Sequence, residues 1–186
     1  MAPTMTQTTN STTSPPDPKL DGQAHINVHY NYSTTKLGRE LSTYFVARFN
    51  HPYFGPFKCI EGFRLYVQTG CVDDAFRGKT GSEAKAYFNR QIKARALKMY
   101  DIKDEEKVLM LAYYARLTQH PVTATLFKES TLPFENYFLW GDAKLPIRPE
   151  DSGLLIQSLT TLREYMQAGL EPDRINNDAY DKLRKR

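Results

Sequence analysis

The sequence predicts a mainly α-helical fold on the border of α+β, a compact multihelical single domain carrying a few short β-strands. Apolar residues recur at helical spacing in several capped segments, whereas period-2 alternation is brief. The chain has 186 residues, 40% of them hydrophobic, which suits one core of ordinary size, and it shows no internal repeat or second apolar unit.

Residues 1–23 are rich in Thr, Ser, Pro, Asn and Gln, with almost nothing apolar to offset the entropy of ordering, and are expected to form a disordered arm. The domain proper is expected over residues 24–172. Ile26, Val28 and Tyr30 alternate with Asn27, His29 and Asn31 as in a half-buried strand. Residues 37–57, punctuated by Gly38, Asn50, Pro52, Gly55 and Pro56, read as a structured loop with extended pieces, and a long ordered loop in a small domain is usually functional. Ile60, Phe63 and Val67 fall on one helical face and Gly70 is a stop signal, which predicts a helix over 60–69.

Thr80 and Glu83 have capping-box spacing and open a second helix with Ala84, Phe88 and Ile92 inward. Asp104, Glu105 and Glu106 place negative charge at the start of a third helix, apolar nearly all round over 108–114, which makes it the candidate centre of the core. Pro121 stops that helix and opens a fourth over 122–128. The aromatic segment 134–140 reads as extended. Asp151 or Ser152 caps a fifth helix whose Leu155, Leu159, Leu162 and Met166 form a stripe ending at Gly169, and the basic tail 173–186 adds a short helix.

The formal net charge of +4 permits a nucleic-acid or phosphate-bearing partner without demanding one. Cys59 and Cys71 form no CxxC pair, and no secretory leader is evident, so neither a zinc site nor a disulfide framework is expected and a cytoplasmic location is the default. His25, His29, His51 and His120 lack ligand spacing, so no metal or cofactor is expected. The longest apolar run, 108–115, is far below the roughly 20 residues that span a bilayer, so no membrane partner is expected. GxGxxG, P-loop, HExxH and GxSxG signatures are absent.

What remains is a pair of carboxylates in aromatic surroundings: Glu61 beside Ile60, Phe63 and Tyr66, and Glu135 within Phe134-Glu135-Asn136-Tyr137-Phe138. Desolvation there would tune a carboxylate for acid–base work. The plainer readings are a first-turn Glu meeting the helix dipole and a solvent-facing position on a strand.

Several motifs around these residues follow a familiar order. Leu37-Gly38-Arg39-Glu40-Leu41-Ser42-Thr43-Tyr44 is followed by Pro56-Phe57, Ile60-Glu61-Gly62-Phe63 and Gly81-Ser82-Glu83-Ala84-Lys85. Gln119-His120-Pro121 and Leu132-Pro133-Phe134-Glu135-Asn136-Tyr137-Phe138-Leu139-Trp140-Gly141 come next. In this order, over residues 36–166, the chain resembles the NADAR (YbiA-like) family, including its phage-borne relatives. It departs at Thr43, where the family has Asn, at Phe88-Asn89, where it has Gly-Arg, and in lacking an Asp near the Trp-Gly pair other than Asp142.

The resemblance implies an N-glycosidase that hydrolyses a C1′–N bond. The substrate would be a ribosyl nucleotide: ADP-ribose on a guanine base, as in ADP-ribosylated DNA, or a phosphoribosyl intermediate of riboflavin synthesis. Glu61 and Glu135 would be the catalytic carboxylates, by analogy with paired carboxylates in glycosidases. Arg39 and Lys85 would contact phosphate or ribose oxygens, Tyr44, Phe63 and Trp140 would stack on the base, and Ser42 and Gly141 would complete the substrate contacts. For the aromatic residues the plainer reading is core packing. Two alternatives stand beside the enzyme: a catalytically inactive ADP-ribosyl or nucleotide-binding module, which the departures from the family pattern motivate, and a protein-interaction factor acting through its tails.

Overall fold

The structure, a computed structural model, describes residues 16–102 and 104–172. In chain order these form β1 (Ile26–Asn27), α1 (Lys36–Leu41), β2 (Phe49–His51), β3 (Gly55–Phe57), α2 (Ile60–Gln68), α3 (Gly81–Lys93), α4 (Glu105–Gln119), α5 (Pro121–Glu129), β4 (Phe134–Glu135), β5 (Phe138–Trp140), β6 (Leu145–Ile147) and α6 (Ser152–Gln167). Among the described residues, six helices and a few short strands make a mixed α+β architecture with more helix than strand. The strands pair only in twos: β1 with β4 in parallel, and β2 with β3 and β5 with β6 as antiparallel hairpins.

Helix α4 is the centre of the core. Val108, Leu109, Met110, Ala112, Tyr113, Ala115, Arg116 and Leu117 are all buried, as expected of a helix apolar on nearly every side. It packs against α6, α5, α2 and β2. The α6 stripe contributes Leu155, Leu159 and Leu162 to this core, with Met166 packed at its edge. A second focus is aromatic, with Phe49, Phe54 and Phe57 around Phe63; the ring centroids of Phe57 and Phe63 lie 5.2 Å apart at an interplanar angle of 89°, the edge-to-face arrangement that aromatic quadrupoles favour.

Four expectations are corrected. Residues 37–57 are not loop throughout: α1 occupies its first part, capped by Thr35, whose hydroxyl accepts the Gly38 amide at 3.0 Å. Gly38, read from sequence as punctuation, is there because a β-carbon would lie 2.2 Å from the Asn27 carbonyl. The first strand is not half-buried either. Asn27 is as buried as Ile26 and Val28, and Tyr30 is exposed, because the Asn27 side chain pairs with the Tyr137 backbone through Nδ2 to O and through N to Oδ1, both at 3.1 Å.

The ordered chain also starts earlier than residue 24. Residues 18–20 form a 3₁₀ turn, and the buried Asp21 carboxylate accepts the Asn27 amide at 2.8 Å and the Thr34 hydroxyl at 2.9 Å. Finally, Asp151 stands at the N-cap of α6 but makes no side-chain cap bond. Residues 1–15 of the expected arm and the tail 173–186 lie outside the described residues. Among the described residues no helix is long and apolar enough to cross a membrane.

Candidate functional site

Two short connections and three helix ends converge on one cleft of about 460 Å³. The β1–β4 seam sets two of its walls, because the parallel register of Ile26 with Phe134 and Asn27 with Glu135 delivers Val28–Asn31 on one side and Asn136 and Phe138 on the other. The connection after α1 supplies Ser42, Thr43 and Tyr44. It is fixed from below: the Tyr113 hydroxyl donates to the Leu41 carbonyl at 2.6 Å, and the Glu61 amide donates to the Thr43 carbonyl at 2.8 Å. The start of α3 supplies Ser82 and Lys85, and it can lie this close only because residue 81 is glycine, whose β-carbon would fall 2.5 Å from the Tyr44 Cα.

The floor is the first turn of α2. Cys59 caps that helix, its sulfur accepting the Gly62 amide at 3.4 Å, and this sets Glu61 pointing into the cleft. Glu61 is 1% exposed, an expensive place for a carboxylate unless it is paired. Arg64, one turn on, pairs with it through two bonds, Nη2 to Oε1 at 3.1 Å and Nε to Oε2 at 3.3 Å, and sends Nη1 to Asp151 Oδ2 at 2.7 Å. Asp151 is half exposed, so the three side chains form a relay of charge from buried floor to solvent. Burial alone would lower the Arg64 pKa, but the charges and hydrogen bonds of Glu61 and the charge of Asp151 hold it above the usual guanidinium range.

Around this relay the groups are poised as neutral donors and aromatic walls. The Tyr44 hydroxyl is pushed up to about 12, first by burial and then by the nearby Glu61 charge, so at neutral pH it carries its proton. Burial pushes the His29 imidazole below its usual value, and its Nδ1 is buried without a hydrogen-bond partner. Tyr30, Tyr44 and Phe138 present ring surface to the cavity, and Lys85 adds a cation at its edge.

Of the residues singled out in the sequence, the cleft brings together Glu61, Ser42, Tyr44 and Lys85. Glu135 does not line it; its carboxylate is held by Arg148 through two bonds of 3.1 Å on the other side of the strand. Arg39 is turned away, its Nη1 donating to the carbonyls of Ser33 and Thr34. Phe63 is the centre of the aromatic core. Trp140 is 65% exposed on the β5–β6 hairpin, one ring removed from the cleft through Phe138, and Gly141 makes the tight turn of that hairpin at φ +68° with open space around it.

The sequence reading missed Arg64, Asp151, Asn136, Tyr30, His29 and Phe138. Arg64 had a signal, its position three residues after Glu61 on a helix. Asp151 had none beyond its reading as a cap. Its carboxylate serves Arg64 instead. Among the described residues no group of His, Cys, Asp and Glu could hold a metal ion. Compared with protein-family models, characterised proteins and solved structures, the chain finds no match.

Proposed function

We propose that the cleft hydrolyses the C1′–N bond of a ribosyl compound, with ADP-ribose on a guanine base or a phosphoribosyl riboflavin intermediate as substrate. The observation that carries this reading is the Glu61–Arg64–Asp151 relay. It puts a fixed negative charge on the floor of a cavity large enough for a nucleoside and a second carboxylate at its mouth. The motif order of the NADAR family, which this chain resembles, supports it independently.

The reaction needs negative charge where positive charge develops on the sugar, a placed water, and a proton for the departing nitrogen. Glu61 lies at the floor to stabilise an oxocarbenium-like centre, and Arg64 holds it there. Asp151, with solvent access, is the group placed to orient water. The water oxygen bonds to C1′, the C1′–N electron pair leaves on nitrogen, and the water's proton ends on the released base. Tyr44 and Lys85 are donors for ribose or phosphate oxygens. Tyr30 and Phe138 replace Trp140 as the rings for base stacking, a contact of about 1–3 kcal/mol per base.

Incubating the protein with guanine-ADP-ribosylated DNA, and separately with a phosphoribosylamino-pyrimidine, should release base or sugar, read by mass spectrometry. Glu61→Gln keeps volume but loses charge, and turnover should fall by about 100-fold or more while the fold persists. Equal turnover in that variant sinks the assignment. One observation favours a second reading, a binding module: both Glu61 oxygens are engaged by Arg64, which leaves little freedom for proton transfer. Retained ADP-ribose binding with no release from either substrate would select it.

A further inference from the structure

A second cavity of about 320 Å³ lies behind the connection that walls the cleft, and its lining includes Glu40, Arg48, Arg116, His120 and Thr123. Arg116 is its anomaly. It stands in the last turn of α4 and is 2% exposed, with its guanidinium packed 4.7 Å over the Tyr113 ring. One nitrogen, Nη1, reaches the Ser42 carbonyl at a long 3.4 Å, and the other, Nη2, is buried without any hydrogen-bond partner. Among the described residues no carboxylate lies within ion-pair distance of it. A buried cation is normally retained only when paired, so this one is missing a counter-charge.

We propose that this cavity is an oxyanion site that takes a phosphoryl group, either free phosphate or a small phosphomonoester. Three features besides Arg116 fit a phosphoryl group. The N-terminus of α5 opens on the cavity through His120 and Thr123; its N-cap, His120, makes no side-chain cap bond and Pro121 has no amide, so the positive end of the helix dipole and the first-turn amides of Val122 and Thr123 are uncapped by any side chain. Arg48 adds a second guanidinium on the exposed rim. The acid in the lining, Glu40, is already engaged, accepting the Thr123 hydroxyl at 2.8 Å and lying 3.8 Å from Lys36 Nζ. Arg48 and Arg116 therefore outweigh it and the lining is net positive. A planar guanidinium with a spare N–H edge beside helix amides is the donor set that tetrahedral phosphoryl oxygens accept from. The site is independent of the chemistry proposed for the cleft.

The test is titration of the full-length ¹⁵N-labelled protein with inorganic phosphate and, in a parallel arm, with glycerol 3-phosphate. The result expected is a saturable millimolar shift of the Val122 and Thr123 amides in at least one arm, and the stronger arm identifies free phosphate or a monoester as the ligand. Arg116→Met should weaken binding by about tenfold or more, the loss of one charge-assisted bond, and because it removes an unpaired buried charge it should not lower Tm. Arg48→Gln, on the exposed rim, should weaken it less and leave the fold untouched, whereas Glu61→Gln in the neighbouring cleft should change nothing. Absence of saturable shifts at Val122 and Thr123 in both arms overturns the proposal. So does binding that neither Arg116→Met nor Arg48→Gln alters.

Discussion

The imidazole of His51 accepts two backbone amides at one nitrogen, from Tyr53 at 3.2 Å and from Phe54 at 3.3 Å, and its ring stacks on Phe63 with centroids 4.9 Å apart. Burial pushes its pKa down to about 4 from the usual 6.5. Between those values the unfolded chain binds a proton that the folded chain refuses, so the stability this group contributes is present above pH 6.5 and is lost as pH falls through about 4. The linked loss is about 3 kcal/mol. Urea unfolding at a series of pH values should show it as a decline on acidification through that window. In His51→Asn, whose amide oxygen can still accept the two N–H groups, the decline should flatten; an unchanged slope would place its cause elsewhere. Residue-level chemistry was partly legible beforehand. Glu61 stood out because a carboxylate among Ile60, Phe63 and Tyr66 has to be accounted for, while Glu135 looked equivalent only because its partner Arg148 is 13 residues away, just past the end of β6.

At the scale of elements, helix ends decide where the site residues sit. The Thr80 hydroxyl accepts the Glu83 amide at 3.4 Å and the Glu83 carboxylate accepts the Thr80 amide at 2.8 Å, so α3 starts at a fixed residue and presents Ser82 and Lys85 to the cleft. Thr80→Ala should cost about 1 kcal/mol in urea unfolding, and a change near zero would mean that packing of Gly81 on Tyr44 alone fixes the helix start. This helix, like α2, α4, α5 and α6, was legible because caps, prolines and a 3.6-residue period agree with one another. The short α1 was not. Six residues give too little periodicity to register, and its glycine serves a tertiary contact with Asn27 that no local pattern encodes.

For the molecule as a whole, the seam between β1 and β4 joins the first strand to a segment more than 100 residues later in the chain. It is a two-residue parallel pair, invisible to sequence reasoning because its register is set by a side chain: the Asn27 amide extends the ladder to Tyr137 in the manner of a peptide group. Asn27→Ala would leave the buried N–H and C=O of Tyr137 without these partners, and should destabilise the protein by about 2–4 kcal/mol in equilibrium unfolding. A loss below 1 kcal/mol would show that water replaces the amide. The same seam explains why Asn136 and Phe138 escaped notice as cleft residues, since nothing near them in sequence says that residues 28–31 lie opposite.

The connection after α1 is a partition with a chamber on each side, residues 42–44 facing the cleft and 45–48 the smaller cavity, and Arg116 reaches it at the Ser42 carbonyl. Occupants of two chambers that share a wall are bound by thermodynamic reciprocity. Whatever factor phosphate imposes on the affinity for the cleft's ligand, that ligand imposes on the affinity for phosphate, and chambers that act independently return a factor of one from either side.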